Sequence, residues 1–317
     1  MTPLPPNPRR AAAVRRFEWP TWLVASAVYG GWGLVTWHAA SLPWWALLVL
    51  GAWFVGWHNS LQHETVHGHP AGARWVNAAL GIPALGLWMP YAIYRERHLE
   101  HHRTPDLTSP RDDPESFYCE VARWQRMGPV LRALYRFNQT LLGRMLVGPA
   151  LAALAFWGIE AGRIAAGDRD ALRAWLIHAA SVAAVFAWVT AVCRIPPWAY
   201  IALFAYPGLS LTLLRSYLEH RPAPNPDHRT AIVEGGAVPG LLYLNNNLHF
   251  LHHGRPDLPW YALPATYRRE RESLVEGNGG YRFAGYAEVA RRYLFRAKDS
   301  PVAGSPPRPL CGIADRS

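Results

Sequence analysis

The chain has 317 residues, 16 of them Trp; only 17% are charged, and the formal net charge is +10. Long uncharged runs alternate with short basic, His-rich ones, which is the pattern of a membrane protein with one wet face. The basic residues lie mostly between apolar runs with no nucleic-acid motif beside them, so nucleic-acid binding is set aside. Three Cys (Cys119, Cys193, Cys311) have no metal or redox spacing and cannot build a four-Cys iron–sulfur cluster.

Residues 1–18 are Pro- and Arg-rich, with no small-residue cleavage site after them, and read as a cytosolic tail rather than a signal peptide. No Asp, Glu, Lys or Arg occurs between residues 19 and 57. A bilayer crossing needs roughly 20 apolar residues. Two spans are therefore expected, about 19–39 and 42–60, turning at Ala40-Ser41-Leu42-Pro43. Residues 77–94 contain Pro83, Gly86 and Pro90, and 145–159 include Gly148-Pro149; both are expected to lie in the interface or to dip and return. A crossing by either would put the His groups described below on opposite faces. A second pair of spans is expected at 174–193 and 196–215, hinged at Arg194-Ile195-Pro196-Pro197, since Pro ends the preceding helix. Arg9, Arg10, Arg15 and Arg16 precede the first span, and the short turns hold only Arg194. The tail, the middle segment and the C-terminal third are accordingly expected on the cytoplasmic side. Residues 276–317 read as a C-terminal cytosolic segment, disordered after about residue 299.

Fourteen His are present and most are clustered. The groups are His63-Glu64-Thr65-Val66-His67, His98-Leu99-Glu100-His101-His102 and His249-Phe250-Leu251-His252-His253. Glu219-His220-Arg221 stands at the end of the fourth expected span. On a helix, positions i, i+3 and i+4 share a face, so each group is expected to aim its imidazoles at one point. Neutral imidazole suits Zn, Cu, Fe and Ni. His63, His67, His98, His101, His102, His220, His249, His252 and His253 are too many for one ion and about right for two. His38 and His178 stand alone on apolar faces and read as structural; His228 reads as solvated. His58, one turn before the first group, and His69, between Gly68 and Pro70, are left open as ligands.

HETVH, HLEHH and HFLHH, in this order and between paired spans, resemble the three histidine boxes of the membrane fatty acid desaturase and hydroxylase superfamily. The resemblance covers roughly residues 20 to 275. It implies an all-α integral membrane fold over 19–275, with four transmembrane helices in two hairpins and a cytosolic helical cap holding a di-metal site. It implies two iron ions on the boxes and an additional His after the fourth span, where His220 stands. Ser216 departs from the Asn that often lies one turn before that His. Asn245, Asn246 and Asn247 offer polar support ahead of the third box instead. Metal-bound His usually passes its second ring N–H to a carboxylate or carbonyl. Glu64, Glu100 and Glu219, with Asp106, Asp112 and Asp113, are near enough in sequence to receive it. Asp112, Asp113 and Glu115 read equally well as a solvated turn after Pro110.

The activity implied is O2-dependent desaturation of a fatty-acyl or other lipid-like substrate. Hydroxylases, carotenoid ketolases and desaturases of small amino-acid-derived metabolites resemble the same boxes. Electrons are expected from a separate ferredoxin, rubredoxin or cytochrome-type protein. Arg95, Arg97, Arg103, Arg268 and Arg269 suit docking of an acidic carrier or anionic lipid headgroups equally. Trp88, Tyr91 and Tyr94 are expected in an aromatic interface belt more than in a substrate slot. HETVH also fits the HExxH zinc protease pattern, with Glu64 as base and Asn225-Pro226-Asp227 as an acidic motif. That reading leaves two His groups unexplained and puts the acidic motif in a polar loop. A metal transporter would carry its His within the spans, not just past their ends.

Overall fold

The structure, a computed structural model, describes residues 17–303. Most of the expected N-terminal tail, and the chain beyond residue 303, lie outside the described residues. The molecule is mostly helical. α1 (Trp19–Trp37) has Pro20 in its first turn, where the missing N–H costs nothing. A short 3₁₀ turn at Ala39–Ser41 leads through Pro43 into α2 (Trp44–Val66). The first uncharged run is thus a helical hairpin, and its second helix runs past the expected limit near residue 60 to carry the first His group. α3 (Arg74–Gly81), α4 (Tyr91–His101), α5 (Val121–Arg126), α6 (Pro129–Phe137) and α7 (Leu141–Leu146) follow as short helices. α8 (Gly148–Ala165) extends well beyond the apolar stretch that marked it in the sequence.

α9 (Arg169–Phe186) starts at an Asp168 side chain that accepts the Ala171 N–H, and it continues as a π turn over Ala187–Val192. After the hinge, α10 (Pro197–Tyr200), a π turn at Ile201–Ala205 and α11 (Tyr206–Glu219) run on as one rod. Among the described residues two helices are long and apolar enough to cross a membrane, Arg169–Val192 and Pro197–Glu219. The protein itself buries only 17% and 39% of their most apolar windows, so most of each window is left uncovered. The Trp- and Gly-rich first hairpin is not in that class.

The site is positioned by the packing of α2 on the Pro197–Glu219 rod. A Cβ on Gly51 would meet the Leu203 carbonyl oxygen at 2.4 Å, and one on Gly208 would meet Val55 Cβ at 2.5 Å. Small residues at these crossings let the backbones approach closely and bring the end of α2 beside the end of α11. Val55, Leu85, Val189, Tyr200 and Phe204 fill the core beneath. Beyond α11 the chain forms β1 (Ile232–Val233), α12 (Ala237–Leu242), α13 (His249–Gly254), α14 (Leu263–Gly277), β2 (Arg282–Phe283) and α15 (Tyr286–Tyr293). β1 and β2 pair in parallel, Ile232 with Arg282 and Val233 with Phe283. The chain then packs back on its middle: Lys298 N–H donates to the Gln139 carbonyl, and Cys119 exchanges backbone bonds with Pro301 and Ala303. Asp299 is buried. The stretch expected to be disordered after about residue 299 lies mostly outside the described residues; within it, the Pro301 carbonyl and Ala303 N–H bond Cys119, and the Asp299 carboxylate accepts from Tyr118 Oη.

Candidate metal centre

Four segments far apart in sequence supply the imidazoles. His63 lies in the last turn of α2 and His67 caps it, α4 carries His98 and His101 with His102 as its cap, His220 follows the last residue of α11, and α13 carries His249, His252 and His253. Their ring nitrogens form two groups, each with its ligand atoms within 4.8 Å of one another. One is His63, His67, His98, His102 and His252; the other is His101, His220, His249 and His253. In the first, His98 Nε2 lies 3.1 Å from both His67 Nε2 and His102 Nε2, and His252 Nε2 lies 3.2 Å from His102 Nε2. In the second, His220 Nε2 lies 3.1 Å from His101 Nε2 and from His249 Nε2, and His253 Nε2 is 3.1 Å from His249 Nε2. Imidazole nitrogens bind ions at about 2.1 Å, and nitrogens around one such ion stand about 3 Å apart. The donor sets fit two metal ions.

The expectation that each sequence group aims at one point needs correction. In both HxxHH groups the first and last His serve one cluster and the middle one serves the other. His98 and His102 face the five-His cluster while His101 faces the four-His cluster; His249 and His253 face the four-His cluster while His252 faces the five-His one. At 3.6 residues per turn, positions i and i+4 differ by about 40° around the helix, whereas i+3 lies about 60° to the other side of i. One short helix can therefore feed two adjacent points, and α4 and α13 each do so.

The second ring nitrogens are held by acids and amides. His101 Nδ1–H donates to Asp113 Oδ1 at 2.7 Å, and His98 Nδ1–H to Glu115 Oε1 at 2.8 Å. Asn246 joins the two clusters: its Oδ1 accepts from His249 Nδ1 at 3.0 Å, and its Nδ2 lies 3.1 Å from His63 Nε2. Glu219 pairs with Arg215 at 3.0 Å and lies 3.4 Å from His249 Nδ1. Glu64 is buried, accepts the Trp260 backbone N–H, and stands 4.0 Å from His63 Nδ1. Glu100 is exposed, and no imidazole among the described residues reaches it. Asn245 donates to the Trp260 carbonyl instead of to a ring. Asp112 bonds Ser109, and Asp106 pairs with Arg229, so neither serves a His.

Burial, and then the neighbouring imidazoles, push His67, His102, His220, His249, His252 and His253 down, which keeps these rings neutral. His101 departs from them. Burial works downward there too, but Glu115 and Asp113 outweigh it and hold the ring up at about 9.

The remaining His are not in either cluster. His58 is fully buried against Tyr29. His69 Nδ1 pairs with Glu18 at 2.8 Å. His178 Nε2–H donates to the Leu87 carbonyl, His228 lies by Asn225, and His38 is exposed. Glu115 was legible only as part of a polar turn, and Thr230, whose Oγ1 is 3.3 Å from His220 Nδ1, left no mark in the sequence. Ser216 bonds the Leu213 carbonyl, within its own helix.

No curated protein matches the chain. The model of one protein family, described as fatty acid desaturase, matches residues 39–285, a stretch that takes in all nine clustered His and both long apolar helices. The chain belongs to the fatty acid desaturase family.

Proposed function

We propose that this protein is an O2-dependent di-iron oxidoreductase that desaturates a fatty-acyl or other lipid-like substrate. The observation that carries this reading is the pair of adjacent, buried, all-imidazole clusters. The five-His cluster would hold one iron and the four-His cluster the other. Bound there, the two ions would supply the redox chemistry that an unactivated C–H bond requires and that side-chain acids and bases do not provide. The chain's own residues hold the rings. Asp113 and Glu115 take the second N–H of His101 and His98, fixing their tautomers, and Asn246 sets the spacing between clusters. Glu64, the general base of a zinc protease reading, is instead occupied by the Trp260 N–H.

The exposed apolar faces of the two long helices suit a bilayer, with the first hairpin as a second pair of crossings and the His-bearing helices as a cap on the cytoplasmic side. Electrons come from a separate carrier protein, for which exposed Arg103, Arg268 and Arg269 offer a docking face. Hydroxylation is the second outcome this centre supports, because both reactions begin with removal of hydrogen from the same kind of bond.

The test is metal analysis of the purified protein, with O2-dependent turnover of added lipid. About two irons per chain are expected. His101→Ala and His252→Ala, one from each cluster, should each lose iron and all turnover. About one zinc per chain, or full iron with normal turnover in both variants, would sink the proposal.

A further inference from the structure

The stretch from α5 into α8 carries charge of one sign. No Asp or Glu occurs from residue 121 to residue 159, while Arg123, Arg126, Arg132, Arg136 and Arg144 all fall there. Within it, α6 has two unlike sides. Tyr135 is buried with Cys119 and Met127, and Leu151 of α8 packs against them. Arg132 and Arg136 stack on the Trp124 ring of α5, their guanidinium carbons 5.9 and 5.4 Å from its centroid. Away from these contacts Val130, Leu134 and Phe137 share one face, at i, i+4 and i+7. All three are exposed, Val130 by 74%, so among the described residues nothing covers that face. Arg123, Arg126 and Arg136 are exposed as well, and no carboxylate among the described residues pairs with them. Glu120, the nearest acid in sequence, is taken by Arg111 at 2.8 Å.

The level of this face follows from α7, the next helix. Ser210 Oγ–H donates to the Met145 carbonyl at 2.8 Å, and Tyr206 Oη–H to the Leu146 carbonyl at 2.5 Å. Ser210 and Tyr206 stand about 14 and 20 Å before the end of the rod Pro197–Glu219, at about 1.5 Å per residue. The chain just after α6 is therefore pinned against the apolar part of a long apolar helix, and Leu146 is exposed there. An apolar face with a basic surround, beside such a helix, has the make-up of a helix lying in a lipid interface. A second copy fits it poorly. A two-fold contact sets a patch against itself, which would bring Arg123, Arg126 and Arg136 toward their own copies. An anionic leaflet instead offers phosphates to every guanidinium while the Arg stems lie along hydrocarbon.

We propose that α5 and α6 dock on the anionic lipid surface on the side of the His-bearing cap. Val130, Leu134 and Phe137 enter the boundary between acyl chains and headgroups, and Arg123, Arg126 and Arg136 hold phosphate headgroups. The proposal rests on the bilayer placement of the two long helices given above and is independent of the reaction at the metal centre.

The test uses the metal-loaded full chain with Cys119, Cys193 and Cys311 replaced by Ala and one fluorophore at Leu134→Cys. It is reconstituted in vesicles of phosphatidylglycerol and phosphatidylcholine, with one of the two lipids brominated. Brominated lipid quenches on contact, and iodide quenches from water. Quenching by brominated lipid and not by iodide is expected. Brominated phosphatidylglycerol should act as though enriched about fivefold over phosphatidylcholine, the effect of roughly one Arg at an anionic surface. Arg123→Gln/Arg126→Gln/Arg136→Gln should abolish that enrichment. Quenching by iodide alone would leave the face in water and overturn the proposal. Quenching by neither would mean that protein covers it, whether a second copy or another segment of this chain, and overturns it too. Equal quenching by the two brominated lipids, or an enrichment that survives the triple variant, removes the headgroup contacts and likewise overturns it. A second fluorophore position, Leu176→Cys on the exposed side of the helix Arg169–Val192, separates the two levels of the reading. If brominated lipid does not reach it, the bilayer placement fails; if it does while Leu134→Cys stays in water, the docking of α6 alone fails.

Discussion

Asp113 is the residue on which the four-His cluster leans. Its Oδ1 accepts from His101 Nδ1 and from the Glu115 backbone N–H, and its Oδ2 accepts from the Thr108 N–H. Thr108 holds a φ of 77°, in the left-handed region, to aim that N–H. The buried carboxylate is thus fully used, and it fixes which nitrogen of His101 is free. Asp113→Asn should lower iron occupancy or turnover by about 10- to 100-fold, as loss of such partners does at other metal sites. Iron content against added ferrous ion reads it, and an unchanged titration would show that Asp113 only supports the turn. Eight of the nine His were legible because helical spacing places them on one side of each helix, and His220 by its position after the fourth expected span. Their partners were not. Whether Asp113 faces solvent or His101 depends on how the loop after α4 folds back, and nothing local in that loop sets it.

Between elements the same limit appears at β1, a strand of only two residues. Its parallel partner β2 lies far along the chain, and two residues are too few for an alternating pattern to show. What ties the pair to α14 is Glu234, directly after β1. Its Oε1 accepts from Tyr267 Oη and Arg271 Nε, both at 2.7 Å, and its Oε2 accepts from Arg282. Burial works to raise this carboxyl, but Arg271, Tyr267 and Arg282 outweigh it and hold it at about 2. A carboxyl depressed on folding contributes its full stabilisation above the unfolded value of about 4.3 and loses it as pH falls toward 2. Glu234→Gln should therefore cost about 1 kcal/mol at pH 7, a modest figure because solvent screens the site. The gap to the parent protein should close between about pH 5 and pH 2. Thermal melts of both proteins in detergent at pH 7 and pH 3 check it, and a gap that is the same at both would assign the effect to packing.

For the molecule as a whole, the apolar runs made the long helices and their hinge legible, and the His spacing made the existence of the centre legible. The closure of the chain on itself was not, because a Pro-, Gly- and Ser-rich end reads as disorder when its contacts are invisible. In the structure residues 298–303 form a strap. Lys298 Nζ donates to the His220 carbonyl at 3.0 Å and pairs with Asp299 at 2.7 Å, and Asp299 accepts from Tyr118 Oη. The side chains of Lys298 and Asp299 are only 4% and 8% exposed, so each charge depends on the other. Removing one partner of a buried pair strands the other, at a cost of about 3–5 kcal/mol, whereas removing both costs much less. Lys298→Met and Asp299→Asn should each destabilise by about that amount, and the double variant should recover more than half of it. The strap also holds the His220 backbone where α11 ends, in an extended conformation that no helical bond maintains. Lys298→Met should accordingly lower iron content as well as melting temperature, and Lys298→Arg, which keeps a donor and a charge, should restore both. Additive losses in the double variant would show that the two side chains act apart, and unchanged iron content in Lys298→Met would confine the strap to stability and detach it from the centre.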